Sequence, residues 1–196
     1  MARMRPARRE DADVLARLTD MAGHGLPFHL WAEAAAAGES PLEAGRRRVE
    51  REEGNFSYRN AGVIEVAGAV AAGLIGYRQP EPYSLDGIET FSPVVQPLVR
   101  LQAFSPGSWY VHIVAVLPEH RGKGLGSLLL ADAERRAHEV GARSLSLIVA
   151  SENPKALRLY EHIGYRSLAR RPVVGFPGFH GGDWVLMTKP VEVLTR

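Results

Sequence analysis

The sequence predicts a mixed α/β domain, and three observations carry that expectation. The C-terminal half alternates between apolar strand-like runs and helical patterns, in the order strand, helix, strand, helix, strand, strand. Glycines stand where those helices should stop, at Gly141 and Gly164. The length, 196 residues with 45% hydrophobic and 23% charged side chains, suits about one domain with a buried core. Residues 1–196 are therefore read as a single domain, with a long insertion-like loop at about 80–107.

Met4–Ala7 reads as a short edge strand. Asp11 or Asp13 is placed to cap a helix carrying Leu15, Leu18 and Met21 at helical spacing. A second helical region covers Leu30–Ala37, where a run of alanines favours helix by propensity. Pro41–Glu53 is a third, and its Arg46, Arg47 and Arg48 read as a solvated face. Val63, Ile64 and Val66 form one strand and Val70, Leu74, Ile75 and Tyr77 the next, with Gly68 at the turn. Pro80–Gly107 holds five prolines and no long periodic pattern, so it reads as an excursion with at most one short helix, near Val94–Leu101. Segments this long inside a compact domain are usually functional, which makes it the candidate substrate lid.

Trp109–Leu117 is a strongly apolar strand. The turn Arg121–Gly126 leads into a helix with Leu125, Leu128, Leu129, Ala133, Ala137 and Val140 at helical spacing. Arg143–Ala150 alternates, placing Leu145, Leu147 and Val149 on one face. Asn153 suits an N-cap and Pro154 the first helical position, ahead of Ala156, Leu157, Tyr160 and Ile163. Tyr165–Val174 is a further strand, Gly175–Gly182 a glycine-rich loop and Trp184–Thr188 the last strand.

Composition removes several classes of function. With no cysteine, disulfides, thiolate metal sites and a cysteine acyl-enzyme are excluded. The balance of 24 basic against 22 acidic residues, net +2, argues against a nucleic-acid partner. Arginine dominates the basic side; the three lysines are Lys123, Lys155 and Lys189, a bias that suits coding composition or contacts to an anion. Met1–Ala12 is charged and lacks the apolar core of a signal peptide. The most apolar run, Val63–Tyr77, contains Glu65 and is shorter than the ~20 residues of a membrane span. No membrane partner and a cytoplasmic location are expected.

The chemically informative segment is VLPEHRGKGLGSLLL, Val116–Leu130. A strand ends, Pro118 breaks it, and Gly122, Gly124 and Gly126 precede a helix. Glycines let backbone approach a ligand closely, and the unpaired N–H groups and dipole of a helix start favour an anion. Arg121–Ser127 therefore reads as a phosphate or pyrophosphate cradle with Arg121 and Lys123 adding positive charge; a plain strand-to-helix turn is the alternative. A Walker loop needs Lys then Ser or Thr after its last glycine, and the dinucleotide fingerprint needs GxGxxG; GKGLG satisfies neither.

Together with a second segment, this turn resembles the GNAT superfamily of N-acetyltransferases. Arg121, Gly124 and Gly126 match the Arg/Gln-x-x-Gly-x-Gly/Ala signature of its motif A, and VLPEHRGKG is close to the V-x-P-x-x-R-G-x-G form. Downstream, Asn153, Ala156, Tyr160, Gly164 and Tyr165 match the family's N-x-x-A-x-x-x-Y-x-x-x-G-F/Y stretch. Clear resemblance covers about residues 109–171. It implies a central mixed, mostly antiparallel sheet flanked by helices and splayed at the acyl-CoA strand. It also implies acetyl-CoA or a related acyl-CoA as cofactor, with no metal. The pyrophosphate would meet the backbone of Arg121, Gly122, Lys123, Gly124, Leu125, Gly126 and Ser127. Val114, Ala115 and Val116 would pair with the pantetheine arm, with Asn153, Ala156 and Tyr160 also against the cofactor. Dimers are frequent in the family, which leaves a homodimer open.

The implied function is transfer of acetyl from acetyl-CoA to a primary amine of a small molecule or peptide, by direct attack in a ternary complex. A non-catalytic acyl-CoA-binding or regulatory module on the same fold is the alternative. By resemblance, Tyr160 protonates the departing thiolate; its other reading is a core aromatic. Tyr110 and His112 lie two apart on one strand, hence on one face, at positions where some family members place a base. An imidazole accepts a proton near neutral pH, so His112 is the base or water-orienting candidate, against a hydrogen-bonded strand histidine. Glu65 is a second candidate base, since a carboxylate in an apolar strand needs a partner. Glu119 and His120 are expected to be peripheral. Trp31, Tyr83, Phe104, Trp109 and Phe179 are candidates to line an apolar acceptor site, each equally explicable as packing.

Overall fold

The computed structural model describes residues 2–191. Its strands are β1 (Ala2–Pro6), β2 (Ala61–Val66), β3 (Ala69–Arg78), β4 (Trp109–Val116), β5 (Ser144–Ala150), β6 (Arg166–Pro172) and β7 (Asp183–Pro190). Its helices are α1 (Ala12–Ala22), α2 (Leu26–Ala34), α3 (Pro41–Val49), α4 (Gln96–Gln102), α5 (Leu125–Glu139) and α6 (Pro154–His162). The strands form one mixed sheet in the order β1-β2-β3-β4-β5-β7-β6. β4 and β5 run parallel, while β1–β2, β2–β3, β5–β7 and β6–β7 are antiparallel. Among the described residues, no helix is long and apolar enough to cross a membrane.

The chain divides into two compact units, with the division passing through β4 and α5. The first contains the residues up to Tyr77 and His112–Ala133. Its core joins Leu15 and Ala16 of α1 to Val63, Ile75 and Ile113 of the sheet and to Trp31 and Val49 of the helices. Burying a side chain such as Leu15 contributes about 1.5–3 kcal/mol. Gly45 lets α3 lie on the indole of Trp31, because a Cβ there would stand 2.5 Å from the ring. Trp31 is thus a packing residue, not part of an acceptor site.

Three sequence expectations shift in this unit. The second helix begins at Leu26, after Gly25 with φ +85°, and leaves helical geometry at Ala35 (ψ 140°), so part of the alanine run lies outside it. The third helix stops at Val49, short of Glu53, after a Ser40 capping box. Asp11 precedes α1, yet its carboxylate does not cap it: it accepts from Arg5 at 2.7 and 2.9 Å and from the Arg8 N–H at 2.7 Å. Arg5 also donates to Glu65 at 2.7 Å. Glu65, weighed as a second base, therefore has a structural partner. Desolvation pushes the Asp11 pKa up, but its hydrogen bonds from Arg5 and Arg8 outweigh that and hold it low.

The second unit contains Arg78–Val111 and the described residues from Glu134 onward. Trp109, Tyr110 and Val111 of β4 pair with Leu145, Ser146 and Leu147 of β5, and β7 lies between β5 and β6. The Pro80–Gly107 excursion is pinned at its base, where Gln79 N–H donates to Ser108 O (2.8 Å) and Gly107 N–H to Pro80 O (3.2 Å). Its expected short helix is α4, which buries Leu101 and packs against β6 and β7. Beneath it the hydroxyls of Ser108 and Ser146 share a hydrogen bond of 2.7 Å. Trp109 is 3% exposed and belongs to this core.

Candidate functional site

In the first unit β4 leaves the sheet by a short chain of hydrogen bonds. Leu117 N–H donates to Ala71 O at 2.9 Å, and Pro118–His120 forms a single 3-10 turn. The backbone then passes through Gly122 (φ +74°) and Gly124 (φ +76°), conformations that only glycine adopts without strain. A Cβ at either would meet no protein atom within 4 Å. Arg121, Gly122, Lys123 and Gly124 are all exposed, as is Ser127, while Leu125 turns into the core. α5 starts directly behind this turn, and the N–H groups of its first turn have no intrahelical acceptors.

Both cations of the turn are held by main-chain oxygens. Arg121 Nε donates to Val116 O (3.3 Å) and Lys123 Nζ to Glu119 O (3.0 Å). Neither has a carboxylate partner among the described residues, so the turn keeps its positive charge. An exposed run of backbone donors with open space over two glycines and two uncompensated cations fits a pyrophosphate. Val114 and Val116 of β4 are half-buried, whereas Ala115 faces the core. Glu119 is exposed as expected. His120 departs from the peripheral reading: it is half-buried, and its Nδ1 is enclosed without a partner.

His112 lies further back on β4, half-buried. Tyr77 Oη is 3.4 Å from its Nδ1, and Phe56 meets the imidazole edge-on, with centroids 4.3 Å apart. The Arg48 guanidinium sits 4.8 Å above the centre of the Phe56 ring. Desolvation, and then the charge of Arg48, push the His112 pKa down to about 4. The ring is neutral across the physiological range. Sequence reasoning missed Phe56 and Tyr77 as its neighbours; Arg48 is exposed, as the solvated-face reading expects, and its guanidinium also covers Phe56. A lone aromatic in the polar run Gly54–Ser57 was the available signal.

In the second unit Tyr110 is 5% exposed and hydrogen-bonds Gln102, to which Tyr83 Oη also donates at 3.1 Å. Burial raises its phenol further above the usual range, so Tyr110 is ill-suited to take a proton. Phe179 stacks at 5.7 Å on the buried Trp184, whereas Phe104 is 54% exposed. Asn153 caps α6 through Oδ1, which accepts from Ala156 N–H at 3.1 Å, leaving its Nδ2 hydrogens without an acceptor among the described residues. Tyr160 lies half-buried on α6, its ring 5.8 Å from the buried Tyr165. Its hydroxyl has no hydrogen-bond partner among the described residues, and desolvation pushes its pKa up to about 12. It stays protonated at any working pH.

Comparisons with known proteins agree with this arrangement. A model of the acetyltransferase (GNAT) family matches residues 27–165. The chain is 36% identical over 64 residues to the L-amino acid N-acyltransferase MnaT of Escherichia coli, a match covering 33% of this chain and 37% of that protein. The curated relatives it matches are spanned over about a fifth to under half of their length. Among solved structures, an N-acetyltransferase from Staphylococcus aureus superposes with a TM-score of 0.67 at 19% identity, covering 95% of this chain and 99% of that one. yncA, an acetyltransferase from Salmonella typhimurium solved with acetyl-CoA, gives 0.61 at 20% identity, covering 100% and 97%. At these identities the structures speak for the fold, and the match over residues 27–165 speaks for descent: the chain belongs to the GNAT acetyltransferase family.

Proposed function

We propose that this protein is an acyl-CoA-dependent N-acetyltransferase that moves acetyl from acetyl-CoA to a primary amine by direct attack in a ternary complex. The observation that carries this reading is the exposed turn Arg121–Gly124, open above two positive-φ glycines, at the start of a 15-residue helix. When bound, acetyl-CoA supplies the acyl group as a thioester. The backbone donors of Gly122–Ser127 hold its pyrophosphate, assisted by Arg121 and Lys123. Val114, Ala115 and Val116 offer main-chain groups to its pantetheine arm, and Asn153 offers the amide hydrogens that the cap does not use. Ala156 keeps the first turn of α6 small.

The free hydroxyl of Tyr160 donates a hydrogen bond to the departing sulfur. With its pKa near 12 against ~8.5 for a thiol, outright proton transfer runs uphill, so donation within a hydrogen bond is the step its environment favours. His112, neutral and held beside Tyr77, orients the amine or a water by accepting a hydrogen bond. No cysteine is present to carry the acyl group, so the amine attacks directly. The C–N bond forms as the C–S bond breaks, the sulfur leaves as thiolate against the Tyr160 hydroxyl, and the proton shed by nitrogen passes to solvent through a water that His112 orients.

The test is release of free thiol from acetyl-CoA across a panel of primary amines, with both substrates varied. Acceptor-dependent release with intersecting initial-rate lines is expected, and Tyr160→Phe should lower kcat by about 100-fold while acetyl-CoA binding changes little. Ping-pong kinetics would defeat direct transfer. Binding of acetyl-CoA with no release from any amine would defeat the enzyme and favour the binding module.

A further inference from the structure

Three arginines follow one another on α3, and two have partners. Arg46 pairs with Glu50 at 3.2 Å and Arg47 with Glu39 at 2.9 Å. Arg48 has neither a carboxylate nor a hydrogen-bond acceptor among the described residues. Its guanidinium lies over the face of Phe56, and the edge of that ring contact leads to His112. The same unit thus holds, in sequence of contact, an uncommitted planar cation, an aromatic ring and a neutral imidazole. Arg48 is exposed on α3, so its guanidinium is reachable from solvent while its face is held against Phe56.

We infer that Arg48 recognises the carboxylate of the acceptor, and that the acceptor is a free α-amino acid whose amine is presented to His112. A guanidinium fork binds a carboxylate through two parallel hydrogen bonds, and stacking on Phe56 fixes the plane of the fork. In an α-amino acid the nitrogen and the carboxyl carbon lie about 2.5 Å apart. With a hydrogen bond of about 3 Å at each end, such a molecule reaches from the imidazole to a guanidinium one aromatic ring away. The amino terminus of a peptide has no carboxylate at that separation. Docking also bears on His112: a carboxylate on Arg48 offsets the lesser of the two influences, after burial, that weaken the imidazole as a hydrogen-bond acceptor. The acceptor thereby improves the imidazole that receives it.

This inference rests on the transferase reading, and the experiment separates the two. Thiol release from acetyl-CoA is measured with glycine, leucine, methionine, phenylalanine, glutamine and lysine, and with the carboxamide of each. At least one free amino acid is expected to exceed its carboxamide by tenfold or more in kcat/KM. Arg48→Gln should erase that preference chiefly through KM, with the carboxamide changed less than about twofold. Arg48→Lys, which keeps the charge but not the fork, should fall between, and thermal melting of each variant reports folding. Equal use of acids and carboxamides in the wild type, or a preference that survives Arg48→Gln, would overturn the role of Arg48 while leaving acetyl transfer standing. Absence of release from every acid and amide, with acetyl-CoA bound, would overturn both.

Discussion

The starts of α5 and α6 solve one problem in opposite ways. Every helix begins with backbone N–H groups that lack partners within the helix. At α6 the chain supplies one itself: Asn153 Oδ1 accepts from Ala156 N–H, and Pro154 removes another donor. At α5 the preceding residue is Gly124, which has no side chain to offer, and the turn before it is exposed. A self-capped start is local structure that binds nothing by necessity. An open start beside Arg121 and Lys123, whose hydrogen bonds go to main-chain oxygens and the Met21 sulfur and not to carboxylates, leaves room for the external anion proposed above. The difference teaches where to look for a ligand: at what a helix leaves undone.

The sharpest way to break this contrast is to burden the open start. Gly124→Ala places a methyl where no protein atom lies within 4 Å, at φ +76°. Backbone strain should cost about 1 kcal/mol, or about 2–4 °C in Tm. Acetyl-CoA affinity, read by calorimetry, should fall by tenfold or more; a loss no larger than the strain predicts would make the turn merely structural.

The capped start offers a finer cut. Asn153→Ala should lose about 1 kcal/mol of stability with the cap. Asn153→Asp keeps the acceptor and removes the Nδ2 donors, so it should melt like the wild type yet bind acetyl-CoA a few-fold more weakly. Equal binding by Asp and Asn would confine this residue to capping.

At neutral pH the smallest effect belongs to the strand that feeds α5. His112 titrates near 4 when folded and near its ordinary 6.5 when unfolded, so the unfolded chain takes up the extra proton between those values. Stability is unaffected above about pH 6.5 and declines as pH falls toward 4. Melting curves of the wild type should therefore drop more steeply over that window than those of His112→Asn, and initial rates should show no inflection near 6.5. Parallel melting curves would mean an ordinary, solvated histidine.

What was legible in the sequence was local. Gly141 and Gly164 mark helix ends, Asn153 and Pro154 a helix start, and Gly68 a hairpin turn, because each acts through its own backbone geometry. Arg121, Gly124 and Tyr160 were visible through the resemblance to family motifs, and only Gly124 also through its backbone geometry. The misplaced boundaries lie where tertiary packing overrode propensity. The alanine run favours helix, but Gly25 and Pro27 set the start of α2 and the chain leaves helical geometry at Ala35. The surroundings of His112 were illegible because Arg48, Phe56 and Tyr77 reach it from three separate segments. No periodicity announces that meeting.

The arginine excess also has a place in the architecture. β1 and β6 are the outermost strands of the sheet, and their sequences are ARMRP and RSLARRP. Each carries cationic side chains along an open backbone edge and ends in a proline, which has no N–H to extend the ladder. A second molecule approaching strand to strand meets a missing donor at either margin and, along β6, the exposed Arg166 and Arg170, whereas Arg5 of β1 is already paired with Asp11 and Glu65. On β6, replacing the exposed Arg166 and Arg170 with valine should make that margin more prone to strand-to-strand association, read by light scattering.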